Sequence, residues 1–135
     1  MPVVDVEFLL ALSPNHPKHS SVRRILEGEE GVIVTDTCLL WLHAILLAAG
    51  KTPSETRLAM ITLRQILEDY GVKEVGTMGS ELLILHSSIM GKYGLSFFRS
   101  LIAASALILG EPLVSDDTSY DSIEGLVRLP LTTSE

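Results

Sequence analysis

Residues 96–109 (SFFRSLIAASALIL) carry a single charge, Arg99. A helix that is apolar on every side has no face to give to water and must be buried. Ala103, Ala104 and Ala106 let neighbouring backbones approach it closely. Ser96 stands at its start as a candidate N-cap, and Gly110 supplies the stop. The next residues, Pro112, Leu113 and Val114, read as a short strand whose carboxyl end delivers Asp116 and Asp117. Open α/β sheets build their sites at the carboxyl ends of such strands. Function is therefore expected at Asp117 and at whatever else reaches it.

The remaining segments fit that class. MPVVD is a short apolar strand ending on Asp5, followed by a short helix over residues 9–12. Residues 16–27 read as an amphipathic helix with Val22, Ile25 and Leu26 inward. A second strand is expected over 31–35, and Asp36 or Thr37 caps a helix that runs to Gly50. Thr52, Pro53, Ser54 and Glu55 form a capping box with proline at the first helical position, opening a helix to about Asp69. An edge strand over 72–75, a helix over 80–93 closed by Gly94, and a last strand over 126–129 complete the set. Alternating strands and helices require crossovers. The expectation is a three-layer α/β/α fold with a mainly parallel sheet of four to five strands, in one domain over 1–135.

Composition narrows the function. Hydrophobic residues make up 47% and charged residues 20%, which excludes a disordered chain. A net charge of −7 leaves no general footprint for duplex nucleic acid, although Lys51, Arg57 and Arg64 could line a local stripe. The lone Cys38 forms no intrachain disulfide and suits a reducing cytoplasm. No apolar stretch is long enough to span a bilayer, and no signal peptide is visible.

Three stretches carry a resemblance: VVD-VE-FLLAL at the start, YGLSFFRSLIAASAL late in the chain, and LVSDD-TSYDSI near the end. In order and spacing they resemble the landmarks of PIN domains, the fold of the VapC ribonuclease toxins. The resemblance implies a Mg²⁺- or Mn²⁺-dependent ribonuclease acting on single-stranded RNA, a homodimer, and a small antitoxin as protein partner. It places catalytic, metal-binding acids at Asp5 and Asp117, with Ser115 supporting from the small hydroxyl position before Asp117. Two further family acids are missing. The helical glutamate falls at Leu40-Trp41-Leu42, and the aspartate of the late helix falls at Arg99, where an acid has become a permanent cation.

Arg99 lies in the first turn of its helix, the dipole end that disfavours cations, and so needs an anionic partner. Its guanidinium is expected to act as a surrogate for the missing cation, forking onto Asp5 or Asp117. Without it, two nearby carboxylates repel and one tends to hold a proton. The alternative is a rebuilt metal site recruiting Glu7, Asp36, Asp116 or Asp121. Among the other signals, His16 and His19 read as solvated or structural, and His43 and His86 as hydrogen-bonded in or near the core. Trp41, Leu42, Leu46 and Leu47 would mark a dimer contact if exposed. The expected function is a PIN-type ribonuclease with weakened or lost catalysis; alternatively, the chain is an inactive RNA- or protein-binding module.

Overall fold

The computed structural model describes residues 1–132, so the last three residues of the expected domain lie outside the described residues. The elements are β1 (Val3–Val4), α1 (Val6–Leu10), α2 (His19–Leu26), β2 (Ile33–Thr35), α3 (Asp36–Ala48), α4 (Pro53–Asp69), β3 (Lys73–Val75), α5 (Ser80–Tyr93), α6 (Phe97–Leu109), β4 (Leu113–Val114) and β5 (Arg128–Leu129). A 3-10 turn, Thr118–Ser122, lies between β4 and β5. The strands form one five-stranded sheet in the order β3-β2-β1-β4-β5, with every pair parallel.

Both faces of the sheet centre are covered. Successive strand side chains point to opposite faces, and Val3, Val4, Leu113 and Val114 are all buried. No face of the central strands is left to water. That is the arrangement a parallel sheet with helical crossovers requires. The charge-free body of α6 runs through the interior, with every residue from Ser100 to Ala106 buried. At its end Gly110 adopts a left-handed conformation (φ 65°), which a side chain would oppose.

Local chemistry accounts for most boundaries. The capping box at Thr52 and Glu55 forms in both directions, at 3.1 and 3.0 Å. The short first helix begins earlier than expected, at Val6, because Asp5 accepts from the Val6 N–H and caps it at once. The second helix begins later, at His19, because residues 13–18 form turns instead.

The cap of α3 is Thr35, whose hydroxyl accepts from Cys38 N. Asp36, expected as a cap, instead holds the loop between β3 and α5: its carboxylate accepts from Thr77 N, Thr77 Oγ1 and Met78 N. Ser96 occupies the N-cap position of α6 but does not cap it, because its hydroxyl is engaged by Arg99 Nη1 at 3.3 Å. Among the histidines, His86 is buried with Nε2 2.9 Å from the Phe97 carbonyl, whereas His43, expected near the core, is exposed.

Candidate functional site

Strand register brings the two ends of the sequence together. β1 pairs with β4 so that Val4 lies beside Val114, which places Asp5 and Ser115 side by side at the carboxyl ends. The Ser115 hydroxyl donates to Asp5 Oδ2 at 2.6 Å and accepts from Asp117 N at 3.0 Å. One hydroxyl therefore locks both acids in place. Asp5 Oδ1 accepts from Val6 N at 2.8 Å and from the Tyr120 hydroxyl at 3.3 Å. Asp117 caps the 3-10 turn: its Oδ1 accepts from Ser119 N at 3.0 Å and Ser119 Oγ at 2.6 Å.

Arg99 reaches the site from the first turn of α6. Its Nε donates to Asp117 Oδ2 at 2.6 Å. The expected fork onto a carboxylate is absent: Nη1 turns back to Ser96 instead, so the guanidinium is shared between an acid and a hydroxyl. Every carboxylate oxygen of Asp5 and Asp117 thus accepts at least one protein donor. The electrostatics separate the two acids. Burial pushes the Asp5 carboxyl up, and the Asp117 charge adds to this against the donors from Ser115, Val6 and Tyr120. For Asp117 burial also pushes up, but the hydrogen bond and charge of Arg99, with both Ser119 donors, outweigh it and hold the carboxyl below the usual range.

The other candidate acids are committed elsewhere. Lys18 Nζ bridges Glu7 and Asp116, the latter at 3.0 Å. Asp116 also accepts from Leu131 N, Thr132 N and Thr132 Oγ1, so it fastens the segment after β5. Asp121 is paired with Arg128 at 2.8 and 3.1 Å. Asp36 holds Thr77 and Met78, as described above. Glu7 is committed to Lys18.

Trp41, in the stretch to which the resemblance assigns a glutamate, lies parallel to the Phe98 ring (5°, centroids 5.6 Å apart). It is half-buried, as is Leu46, while Leu42 is buried and Leu40 and Leu47 are exposed. Sequence reasoning missed Lys18 and Tyr120. Tyr120 lies three residues after Asp117, a spacing that signals proximity; nothing in the sequence links Lys18 to Asp116.

The PIN domain family matches this sequence over residues 3–126, and the chain belongs to that family. Its fold is similar to those of several solved toxin–antitoxin proteins. Mycobacterium tuberculosis VapC20, a sarcin–ricin loop cleaving toxin, is 15% identical with a TM-score of 0.69, over 90% of this chain and 94% of that one. VapBC2 from Rickettsia felis, bound to a DNA fragment from its promoter, gives 12% identity and a TM-score of 0.68 over 95% and 96%. FitAcB from Neisseria gonorrhoeae gives 15% and 0.67 over 97% and 98%. No curated protein matches the chain.

PIN domains generally bind divalent metal ions. The residues present here do not fit one. A hard dication needs carboxylate oxygens facing an open, uncompensated site, yet the Arg99 guanidinium stands against Asp117 Oδ2 and already brings the positive charge there. Among the described residues no group of three or more histidine, cysteine, aspartate or glutamate side chains is placed to hold a metal ion.

Proposed function

We propose that this chain is a VapC-type PIN domain that has lost phosphodiester hydrolysis and acts by binding a small antitoxin-type protein. The observation that carries this reading is the ion pair between Arg99 and Asp117 (2.6 Å). Asp5 and Asp117 stand where the catalytic acids of the family resemblance fall, with Ser115 between them, but they are occupied by the chain's own donors. Hydrolysis of single-stranded RNA in this family's manner draws on a dication to activate water and neutralise the phosphodiester, and the acids here are not free to hold Mg²⁺ or Mn²⁺.

Protein is favoured over RNA as the partner by the disposition of charge. Lys18, Arg23, Arg64, Lys92, Arg99 and Arg128 are all paired with carboxylates. Arg64 belongs to the stripe with Lys51 and Arg57 that would otherwise meet phosphates, and its pairing with Glu68 weakens that stripe. A chain of net charge −7 whose cations are committed in this way offers a polyanion little.

The solved proteins of similar fold include toxin–antitoxin complexes, which supports a partner of that kind. No helix among the described residues is long and apolar enough to cross a membrane. The buried thiol of Cys38 suits a reducing cytoplasm.

Incubation of the purified protein with a labelled single-stranded RNA and Mn²⁺ tests the reading. No cleavage is expected, and the complex with its antitoxin-type partner should survive Asp117→Asn with its affinity unchanged. RNA cleavage abolished by that substitution would falsify the proposal. The reading also carries a homodimer, through the exposed Leu40 and Leu47 of α3. Sedimentation equilibrium should give a dimer for the wild type and a monomer for Leu47→Glu. A wild-type monomer removes this part of the reading.

A further inference from the structure

We infer that Arg99 is a built-in counter-ion, a side chain that closes the crevice between Asp5 and Asp117 to divalent cations. The inference rests on the reading above and concerns how the same site lost its metal.

The supports of the two acids do not depend on Arg99. Asp5 is positioned by Val6 N, Ser115 and Tyr120, and Asp117 by both donors of Ser119, with Ser115 joining the pair from behind. Removing the guanidinium would leave this backing in place and free only Asp117 Oδ2. The position itself favours an acid. Residue 99 is the third residue of α6, where the helix dipole opposes a cation and stabilises a carboxylate. Ser96, released from Arg99 Nη1, would regain a hydroxyl able to cap the helix. One or two carboxylates with water suffice for Mg²⁺ or Mn²⁺, and an acid at position 99 would supply a third. The four alternative acids are committed in the wild type: Lys18 holds Glu7 and Asp116, Arg128 holds Asp121, and Asp36 holds Thr77 and Met78.

Isothermal titration and electron paramagnetic resonance with Mn²⁺ alone test the inference on the full chain, without any activity measurement. The wild type should show no site, whereas Arg99→Asp should bind one ion at least about 100-fold more tightly. Adding Asp117→Asn should abolish that site. Arg99→Ala should fall between the two, and it covers the case in which carboxylate repulsion leaves Arg99→Asp unfolded. Wild-type binding as tight as that of Arg99→Asp, or no gain over the wild type in a folded Arg99 variant, overturns the inference. A wild type that neither binds Mn²⁺ nor cleaves RNA leaves the functional reading standing even if Arg99→Asp stays silent.

Discussion

Tyr120→Ala should lower the free energy of unfolding by about 3–5 kcal/mol, the usual cost of deleting a buried aromatic side chain, whereas Tyr120→Phe should cost about 1 kcal/mol. Tyr120 heads the largest fully buried side chains, with no exposed surface. It sits on the 3-10 turn that Asp117 caps, and its buried ring carries a hydroxyl that reaches Asp5. Alanine removes the ring and leaves a cavity that the surrounding strands can close only in part.

Phenylalanine keeps the ring and loses one long hydrogen bond, 3.3 Å to Asp5. Asp5 retains Val6 N and Ser115, so it is not stranded. A domain of this size has only about 5–15 kcal/mol of net stability, and the alanine variant gives up a large share of it. Urea unfolding of both variants checks the pair. Equal losses would mean that the hydroxyl, not the ring, carries the weight.

What the sequence made legible was whatever is written in adjacent residues. The body of α6 is apolar on all sides and is buried; the box at Thr52 and Glu55 closes; glycines 94 and 110 end their helices in left-handed conformations. Asp5 and Asp117 were readable because each lies at the carboxyl end of a short apolar strand. The misses came from side-chain partners that competed with local rules and won, some of them distant in sequence and one a single turn away. Ser96 has the right residue and backbone for a cap, but Arg99 takes its hydroxyl.

Asp36 obeys the local preference of acids for a first turn, yet its oxygens point to residues 41 and 42 positions away. The bridge from Lys18 to Asp116 joins segments almost a hundred residues apart, and no periodicity could announce it. Arginine's fork predicts two parallel bonds to a carboxylate; with Ser96 one turn behind, the second arm had a nearer acceptor.

Asp36→Ala is the second large effect, about 2–3 kcal/mol at neutral pH, since four donors, three of them half-buried, would lose one charged acceptor. Asp36 accepts from Thr37 N, Thr77 N and Thr77 Oγ1 on one oxygen and from Met78 N on the other, at 2.8–3.0 Å. It also ends a chain of hydroxyls: Thr35 to Thr37 (2.9 Å), Thr37 to Ser105 (2.6 Å), Ser105 to Thr77 (2.8 Å) and Thr77 to Asp36 (2.8 Å). That chain ties α3, α6 and the loop entering α5 into one unit, so removing its final acceptor loosens all three.

The pH dependence separates this account from simple packing loss. Burial pushes the Asp36 carboxyl up, but the donors from Thr77, Met78 and Thr37 outweigh it and leave the folded value below the usual 3.8. A carboxyl depressed by folding contributes stability in full above its unfolded value, and loses it as pH falls through the folded one. The difference between wild type and Asp36→Ala should therefore hold steady from about pH 5 to 8 and shrink below about pH 4. Paired urea curves at pH 7 and pH 3 measure it. A difference that persists undiminished at pH 3 would mean that Asp36 acts through its shape and not its charge, and the hydroxyl chain would then need another anchor.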